Sequence, residues 1–253
     1  MTAELTVTFA GSGDAFGSGG RFQTCIVVSD GSDTLLLDCG ASSLTALKRL
    51  SIEPKAISHV ALSHLHGDHF GGLPFLVLDG QFSRRENPLT VLGPMGTEER
   101  LTDAMETLFP GSSTVQRRFE TRVQAVAPGL AYDGPGGSRL SFFPVDHTSG
   151  ADAHAIRLQW HGVSLAYSGD TAWTPALADA CAGTDLFICE AYFRDRKVPF
   201  HLSYSEIVEH RDSLDSRRII LTHMTNEMLT AEGIEFERAH DGLALKLPGF
   251  AGS

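Results

Sequence analysis

The sequence predicts an α/β domain in which two sheets pack face to face with helices outside them. Strand-like apolar runs recur along the 253 residues, with helix-like segments between them and a polar or glycine-rich turn after each strand. Both halves of the chain are strand-rich first and then alternate strands with helices, which favours layered sheets. A content of 42% hydrophobic and 20% charged residues provides a core sufficient for one domain, which we expect to span residues 1–253.

The first half begins with three short strands joined by turns. Leu44, Leu47 and Leu50 then repeat at helical spacing after Ser42 and Ser43, which predicts a helix over residues 43–50 capped by these serines. The predicted strands of this half are "LTVTFAG" (5–11), "CIVVSD" (25–30), "TLLLDCG" (34–40), "AISHVALSH" (56–64) and "LTVLGP" (89–94). "GGLPFLVLDGQF" predicts a turn and a helix, and "MGTEERLTDAMETLF" predicts an amphipathic helix with a threonine cap that ends before Pro110.

The second half repeats this pattern after a glycine- and proline-rich linker, "YDGPGGS", which we interpret as a joint within the domain. Its predicted strands are "RLSFFPVDH" (139–147), "AHAIRLQW" (153–160), "VSLAYSGD" (163–170), "DLFICEA" (185–191) and "RIILTH" (218–223). Between the last two strands, "LSYSEIVEHRDSL" predicts a capped helix.

Charge and targeting patterns limit the classes of function. The formal net charge of −11 repels polyanions as a whole, so it favours a small substrate over a long nucleic acid. The apolar runs are shorter than the roughly 18 to 20 residues that cross a bilayer. The amino terminus lacks the basic and apolar regions of a signal peptide, so a cytoplasmic location is expected, without a membrane partner. The four cysteines form no CxxC pair and are expected to be buried, reduced thiols (Cys25, Cys39, Cys181 and Cys189).

A short run after the fourth strand, "HLHGDH" (64–69), contains three histidines and an aspartate. In an extended loop His64 and His66 point the same way, whereas Asp68 and His69 lie beyond the turn that Gly67 permits. One metal ion could bind the first pair and a second ion the other pair. The spacing differs from HExxH, in which one helix face presents both histidines.

Three later strands each end in a residue of ligand type. His147 ends one strand, Asp170 ends another and His223 ends a third. Buried imidazoles and carboxylates without partners cost several kcal/mol, so these residues gain most from meeting at one site. The sequence therefore predicts one metal site to which both halves of the chain contribute.

Motifs along nearly the whole chain resemble those of the metallo-β-lactamase superfamily, and most of all its ribonuclease Z branch and small phosphodiesterase relatives. The matching motifs are "FAGSGDAFGS", "LLLDCG", "SHLHGDHFGGLP", "GPMG", "DHT", "YSGDT", "ICEA", "HLSYSE" and "LTHM". The resemblance implies a four-layer αβ/βα sandwich with two mixed sheets and a dinuclear metal site. It implies that His64, His66 and His147 hold one ion, that Asp68, His69 and His223 hold the other, and that Asp170 bridges both. Zinc fits the nitrogen-rich ligands best, although manganese or iron would also accept the oxygen ligands.

Residues around the ligands have supporting roles in this interpretation. Asp38 in "LLLDCG" is expected to orient a ligand histidine or its loop rather than bind metal. Gly11 and Gly13 are expected to let the opening loop pass close to the site, and a phosphate-binding role for this loop is the weaker alternative because no helix clearly follows. Among the other histidines, only His59 is a candidate for supporting the site.

The resemblance also implies how the leaving group is protonated. Two cations about 3.5 Å apart can activate a shared water and stabilise the charge that builds on the substrate. Glu190 and His201 match a glutamate–histidine couple, so His201 is expected to protonate the departing oxygen or to stabilise the phosphoryl group in the transition state, and Glu190 to orient His201 and raise its pKa. With Asp68 they are the predicted catalytic residues. In "AYFRDRKVPF", a solvated loop competes with a substrate-binding role for the basic cluster, of which Arg194 is the first candidate.

The substrate is the most open question. The tRNA-processing branch usually has a protruding arm between the positions of His147 and Asp170, but here two strands and their turns take up that segment. We therefore expect a metal-dependent phosphodiesterase that acts on a small or nucleotide-like ester, and we expect this substrate to be anionic. The alternatives are hydrolysis of a lactone, carboxylic ester, sulfate ester or β-lactam, tRNA 3′-end processing without the arm, and a non-enzymatic metal-binding protein. A homodimer is expected from the resemblance.

Overall fold

Two seven-stranded sheets form the centre of the fold in the computed structural model, which describes residues 4–249. The first sheet has the order β14-β1-β2-β3-β4-β5-β6 and contains β1 (Glu4–Gly11), β2 (Cys25–Ser29), β3 (Thr34–Leu37), β4 (Ile57–Ala61), β5 (Leu89–Gly93), β6 (Thr121–Ala125) and β14 (Ala244–Pro248). The second has the order β13-β12-β11-β10-β9-β8-β7 and contains β7 (Ala131–Asp133), β8 (Arg139–Val145), β9 (Ala153–Trp160), β10 (Val163–Tyr167), β11 (Leu186–Glu190), β12 (Ile219–Thr222) and β13 (Glu237–Arg238). Each sheet combines parallel and antiparallel pairs, which confirms the predicted mixed sheets.

Helices cover the outer face of each sheet. They are α1 (Ser43–Arg49), α2 (Gly67–Phe70), α3 (Leu73–Phe82) and α4 (Thr97–Leu108) in the first half, and α5 (Ala176–Cys181), α6 (Tyr204–Glu209) and α7 (Asn226–Thr230) in the second. Single 3₁₀ turns lie at Ser18–Gly20, Pro54–Ala56, Pro135–Gly137 and Arg211–Ser213.

Three apolar layers hold these four layers of secondary structure together. The strands supply side chains to both faces, as β11 shows: Leu186 and Ile188 join the core between the sheets, whereas Phe187 and Cys189 join the core beneath the helices. Strands buried on both faces are apolar at consecutive positions, which explains the unbroken apolar runs of the sequence. The predicted αβ/βα sandwich is confirmed.

All four cysteines are buried free thiols, as predicted. Burial raises the pKa of the Cys25 thiol to about 12 and that of Cys181 to about 11, so both are protonated at neutral pH.

Four strands were not predicted, namely β6, β7, β13 and β14. β6 is a largely exposed edge strand with the polar sequence TRVQA, so it lacks the apolar run by which the buried strands were recognised. The predicted linker "YDGPGGS" is also wrong in part, because its first residues belong to β7, which pairs with β8. β14 returns to the first sheet and pairs with β1, so the second half of the chain completes the first sheet. One domain over residues 1–253 stays a prediction.

The predicted helix caps are right in one case and wrong in two. Ser203 forms a capping box with Glu206 at the start of α6, as expected from the sequence. Ser42 occupies the cap position of α1 but its Oγ accepts a hydrogen bond from the Gln23 N–H, and the Thr97 hydroxyl donates to the Pro94 carbonyl. Both side chains therefore form hydrogen bonds with backbone groups outside their helix and do not cap it.

Over residues 4–249, each helix is too short or too polar to span a bilayer.

The loops that matter for function leave one edge of the sandwich. They follow the carboxyl ends of β3, β4, β8, β10, β11 and β12, where the predicted site residues lie. Several of those strands are shorter than predicted. β10 ends at Tyr167 and β8 at Val145, so Asp170 and His147 lie in the loops beyond and can turn toward a common centre.

Candidate metal centre

The run His64–His69 enters the site as a loop that becomes a single helical turn. His64 and His66 lie in the loop after β4, whereas Asp68 and His69 belong to α2. The amide N–H groups of His69 and Phe70 donate to the His66 carbonyl at 3.0 and 2.9 Å, which closes that turn. The sequence pattern places Asp68 and His69 beyond a turn but does not predict the helix that contains them, because four residues are too few to show a helical period.

His64, His66 and His147 form the first donor group. The structure brings one nitrogen of each within 4.8 Å of the others, although His147 comes from the loop after β8. His66 Nδ1 and His147 Nε2 are 3.0 Å apart. The expectation that His64 and His66 point the same way agrees with this geometry.

Asp68, His69, Asp170 and His223 form the second donor group, and all four are buried. Asp68 Oδ2 lies 3.2 Å from His69 Nε2 and 3.1 Å from His223 Nε2. Asp170 lies between the two groups, with Oδ1 3.3 Å from His69 Nε2 and Oδ2 4.0 Å from His64 Nε2.

The donor set fits divalent metal. Ligands at about 2.0–2.1 Å in a tetrahedron are about 3.3–3.4 Å from one another, close to the spacing in the second group. Among the described residues, neither His64 Nε2 nor Asp170 Oδ1 has a hydrogen-bond partner, although both are buried. Buried polar atoms without partners are costly, and a cation between them would satisfy both.

Hydrogen bonds on the far side of the histidines fix which ring nitrogen faces the centre. His69 Nδ1 lies 2.7 Å from Asp38 Oδ2, so it donates there and Nε2 is the nitrogen that can bind metal once it has lost its proton. Ser63 Oγ donates to the same carboxylate at 2.7 Å and lies 3.0 Å from His64 Nδ1, and His147 Nδ1 donates to the Phe200 carbonyl at 2.9 Å. Each of these histidines therefore directs Nε2 inward. The predicted orienting role of Asp38 agrees with these contacts.

The two groups hold protons differently. Burial lowers the pKa of His64 and of His147, so both are neutral at pH 7. Burial alone would also lower the pKa of His69 and His223, but the carboxylates of Asp170 and Asp68 outweigh it and raise both, that of His223 to about 9. His64 and His147 can therefore bind a cation without losing a proton, whereas His69 and His223 must each lose one first.

Glu190 and His201 form a hydrogen-bonded pair beside the second group. His201 Nδ1 lies 3.0 Å from Glu190 Oε2 and 3.8 Å from Asp170 Oδ2. Burial and the charge of Asp170 raise the pKa of Glu190. Burial alone would lower the pKa of His201, but the hydrogen bond to Glu190 and the charges of Glu190 and Asp170 outweigh burial and raise it. Both shifts retain a proton on the pair. The amide N–H groups of Thr171 and Leu202 donate to Glu190 Oε1 and hold the carboxylate in place.

The opening loop reaches the site through its backbone. The His223 N–H donates to the Ser12 carbonyl at 3.2 Å. A Cβ atom on Gly11 would lie 1.9 Å from the Gln23 carbonyl oxygen, and one on Gly13 would lie 2.8 Å from Arg21 Cβ. The loop thus passes close to the site as expected, but its glycines are required by the approach of residues 21–23 rather than by the site.

The basic cluster of "AYFRDRKVPF" is compensated by its neighbours. Arg194 Nε lies 3.5 Å from the Asp195 carboxylate, the Arg196 guanidinium stacks on Phe193, and Lys197 Nζ lies 3.5 Å from Glu206. A substrate-binding role for Arg194 stays a prediction. His59 bonds to its neighbour Ser58 rather than to a site residue.

Sequence reasoning missed Tyr192. Its ring stacks on His201 with 4.6 Å between centroids and lies 5.8 Å from the ring of His223. A single aromatic residue in a loop has no spacing that could reveal such a position; its place two residues after Glu190 was the one available signal.

Comparison with known proteins identifies the family. The family described as "Anti-Pycsar protein Apyc1" matches residues 5–241. The chain belongs to the Anti-Pycsar Apyc1 family. This Apyc1-family protein is also 36% identical to Ribonuclease Z of Halorubrum lacusprofundi over 145 residues, which are 57% of this chain and 45% of that protein. It is 24% identical to Ribonuclease Z of Methanosarcina acetivorans over 88% of each chain.

Solved structures agree with the fold of the Apyc1-family protein. The metallo-β-lactamase fold protein YhfI of Bacillus subtilis superposes with a TM-score of 0.80 at 19% identity and covers 96% of this chain and 99% of its own. The short form of human tRNase Z superposes with a TM-score of 0.79 at 22% identity and the same coverage. The chain is a metal-dependent hydrolase of the metallo-β-lactamase superfamily, as expected from its motifs, and its His/Asp cluster could hold divalent metal.

Metal loading of the metal-free Apyc1-family protein should release about two protons per chain at pH 7.5, because bound His69 and His223 must be neutral. The pKa of His223 is about 9, so His223 is protonated below pH 9 and its proton competes with the metal. The apparent metal affinity should therefore rise as the pH rises from 6.5 to 9. Titration calorimetry in two buffers of different ionisation enthalpy measures the release. Metal binding without proton release would contradict the assigned charge states.

Asp38→Asn should weaken metal binding about 10- to 100-fold, because the carboxylate that orients His69 is lost. Competition with a chelator measures the affinity, and circular dichroism checks folding. Asp103→Asn, an exposed position on α4, is the matched control and should bind metal as the wild type does. Equal affinity of the two variants would show that the Asp38–His69 bond does not support metal binding.

Proposed function

We propose that the chain is a dinuclear metal phosphodiesterase for small or nucleotide-like substrates. The Glu190–His201 pair is the observation on which this proposal depends. It places a proton-retaining imidazole 3.8 Å from Asp170, the carboxylate that lies between the two donor groups. Phosphodiester hydrolysis expels a basic oxygen, so it gains most from an acid fixed beside the metal site.

In this proposal the two donor groups would hold two zinc ions. His64, His66 and His147 would hold one and Asp68, His69 and His223 the other, with Asp170 available as a ligand between the groups. When bound, the ions would supply an activated water and neutralise charge on the phosphoryl oxygens. The mainly imidazole donors with carboxylate support fit zinc, and manganese or iron is the alternative.

His201 then acts as the acid toward the leaving group. Its Nδ1 is bonded to Glu190, so Nε2 is the nitrogen that can donate a proton to the departing oxygen. Glu190 fixes the ring and stabilises the cationic form, and it is itself fixed by two backbone amides. Asp68 would contribute to catalysis as a ligand of the second ion.

The surroundings of the site support a small anionic substrate. Residues 147–170 form β9, β10 and their turns, with no protruding arm within that fully described segment. The net charge of −11 disfavours contact with a long polyanion away from the centre. A diphosphatase of the PhnP family has the same fold, with a TM-score of 0.76, but at 19% identity this likeness concerns the fold alone.

Processing of tRNA 3′ ends is the second candidate. The names of the curated relatives, Ribonuclease Z, favour it. Hydrolysis of a lactone, carboxylic ester, sulfate ester or β-lactam at the same metal site is the remaining enzymatic alternative.

One assay series separates these functions. Zinc-loaded protein of measured metal content is tested on bis-p-nitrophenyl phosphate, a cyclic nucleotide, an aryl ester, a lactone, nitrocefin and a precursor tRNA. We expect turnover of the first two and little of the others. Clear lactonase turnover without phosphodiester turnover, or precise cleavage of the tRNA alone, would contradict the proposal.

His201→Ala should lower kcat for a cyclic nucleotide by about 10²- to 10⁴-fold, the usual contribution of a general acid, while the metal content stays full. The exposed His240→Ala is the matched control and should retain wild-type turnover. If His201→Ala turned over phosphodiesters at the wild-type rate with both ions bound, His201 would have no role in protonation.

Arg194→Glu should raise KM for an anionic phosphodiester more than for a neutral ester, because the reversed charge repels only the anion. If Arg194→Glu had the same KM as the wild type on each of the two substrates, Arg194 would have no role in substrate binding. Homodimer formation and a cytoplasmic location stay predictions of the sequence.

A further inference from the structure

The ring of Tyr192 lies against two functional imidazoles at once. It stacks on His201 with an interplanar angle of 23° and lies at 35° to His223, and the His201 and His223 rings are 5.8 Å apart and within 11° of parallel. The three rings therefore form one aromatic cluster that joins the Glu190–His201 pair to the second donor group.

The backbone of Tyr192 is fixed to the segments that position both imidazoles. Its N–H donates to the Leu202 carbonyl at 2.8 Å, directly after His201. Its carbonyl accepts from Thr225 N–H at 3.1 Å and from Thr225 Oγ1 at 2.8 Å, two residues after His223. Any displacement of Tyr192 would therefore disturb both segments, and the ring is held at a defined place between them.

The hydrogen bond to Glu190 alone does not fix the His201 ring. An imidazole bonded only at Nδ1 can still tilt about the line to its acceptor, and this tilt decides where Nε2 points. The His147 ring meets His201 edge-on at 5.2 Å, and Tyr192 covers a face. Stacked aromatic rings resist that tilt because contact area is lost when the planes separate.

We propose that Tyr192 is a positioning residue that holds His201 at the tilt needed to protonate the leaving oxygen. This inference rests on the proposed function of His201 as the acid. The ring, rather than the hydroxyl, carries out this role: among the described residues, no group forms a hydrogen bond with the Tyr192 hydroxyl, whereas its ring contacts both imidazoles.

The test uses two substrates that differ in their need for an acid. Zinc-loaded wild type, Tyr192→Phe and Tyr192→Leu are assayed on methyl p-nitrophenyl phosphate and methyl phenyl phosphate. Phenolate is the more basic leaving group, so its departure depends more on protonation. Tyr192→Leu should lower kcat on the phenyl ester by about 10- to 100-fold, with a change within about threefold on the p-nitrophenyl ester and in KM. Tyr192→Phe, which keeps the ring, should recover most of the lost rate.

Three outcomes would overturn the inference. Equal losses on both esters would indicate a general structural defect, a raised KM would indicate a substrate contact, and a Tyr192→Phe variant as slow as Tyr192→Leu would assign the effect to the hydroxyl.

The orientation of the His201 ring can be measured without any turnover, so it tests the role of Tyr192 separately from the proposed function. In crystal structures of the zinc-loaded proteins, the His201 ring should have one orientation in the wild type and Tyr192→Phe, and a changed or second orientation in Tyr192→Leu. If the wild type hydrolysed neither ester, the proposed function would fail while this comparison still decided whether Tyr192 positions His201. One unchanged orientation in all three proteins would overturn the inference.

Discussion

The carboxylate of Asp170 is the group on which the site depends. One oxygen lies 3.3 Å from His69 and the other lies 3.4 Å from His223 and 4.0 Å from His64, so a single buried side chain faces both donor groups. Such a charge is stable in the interior only when cations or strong donors surround it. Without metal, protonated His69 and His223 provide the positive charge; with metal bound, the cations would replace those protons.

The fold creates this arrangement because loops from both sheets leave the same edge of the sandwich. Parallel strands have their carboxyl ends together, so residues distant in sequence meet there with little additional chain. The site also requires unusual backbone. Asp38 and His223 both have left-handed backbone, with φ of 60° and 55°, a conformation that costs free energy for residues other than glycine. Gly40 allows a close approach, since a Cβ there would lie 2.2 Å from the Asp68 carbonyl oxygen. The packed sandwich and the hydrogen bonds of Asp38 offset this strain.

The ligand-type residues could be found from the sequence because they break a simple pattern. His147, Asp170 and His223 are polar groups that follow apolar strands, and packing gives no reason for them there. Features that depend on contacts across the fold could not be found in this way. The sequence around Ser42 is typical of a helix cap, but the Ser42 hydroxyl oxygen accepts a hydrogen bond from the Gln23 N–H instead. Tyr192 has no pattern of its own, and its importance follows only from the positions of His201 and His223 around it. The polar edge strand β6 likewise lacks the apolar signal of the buried strands.

In the proposed dinuclear centre, Asp170 would join the two metal sites. The most direct test is an anomalous difference map from crystals of the zinc-loaded protein, recorded at the zinc absorption edge. We predict two peaks per chain about 3.5–4 Å apart, one beside His64, His66 and His147 and one beside Asp68, His69 and His223, with the Asp170 carboxylate between them. A single peak, or two peaks of which neither contacts Asp170, would contradict this prediction.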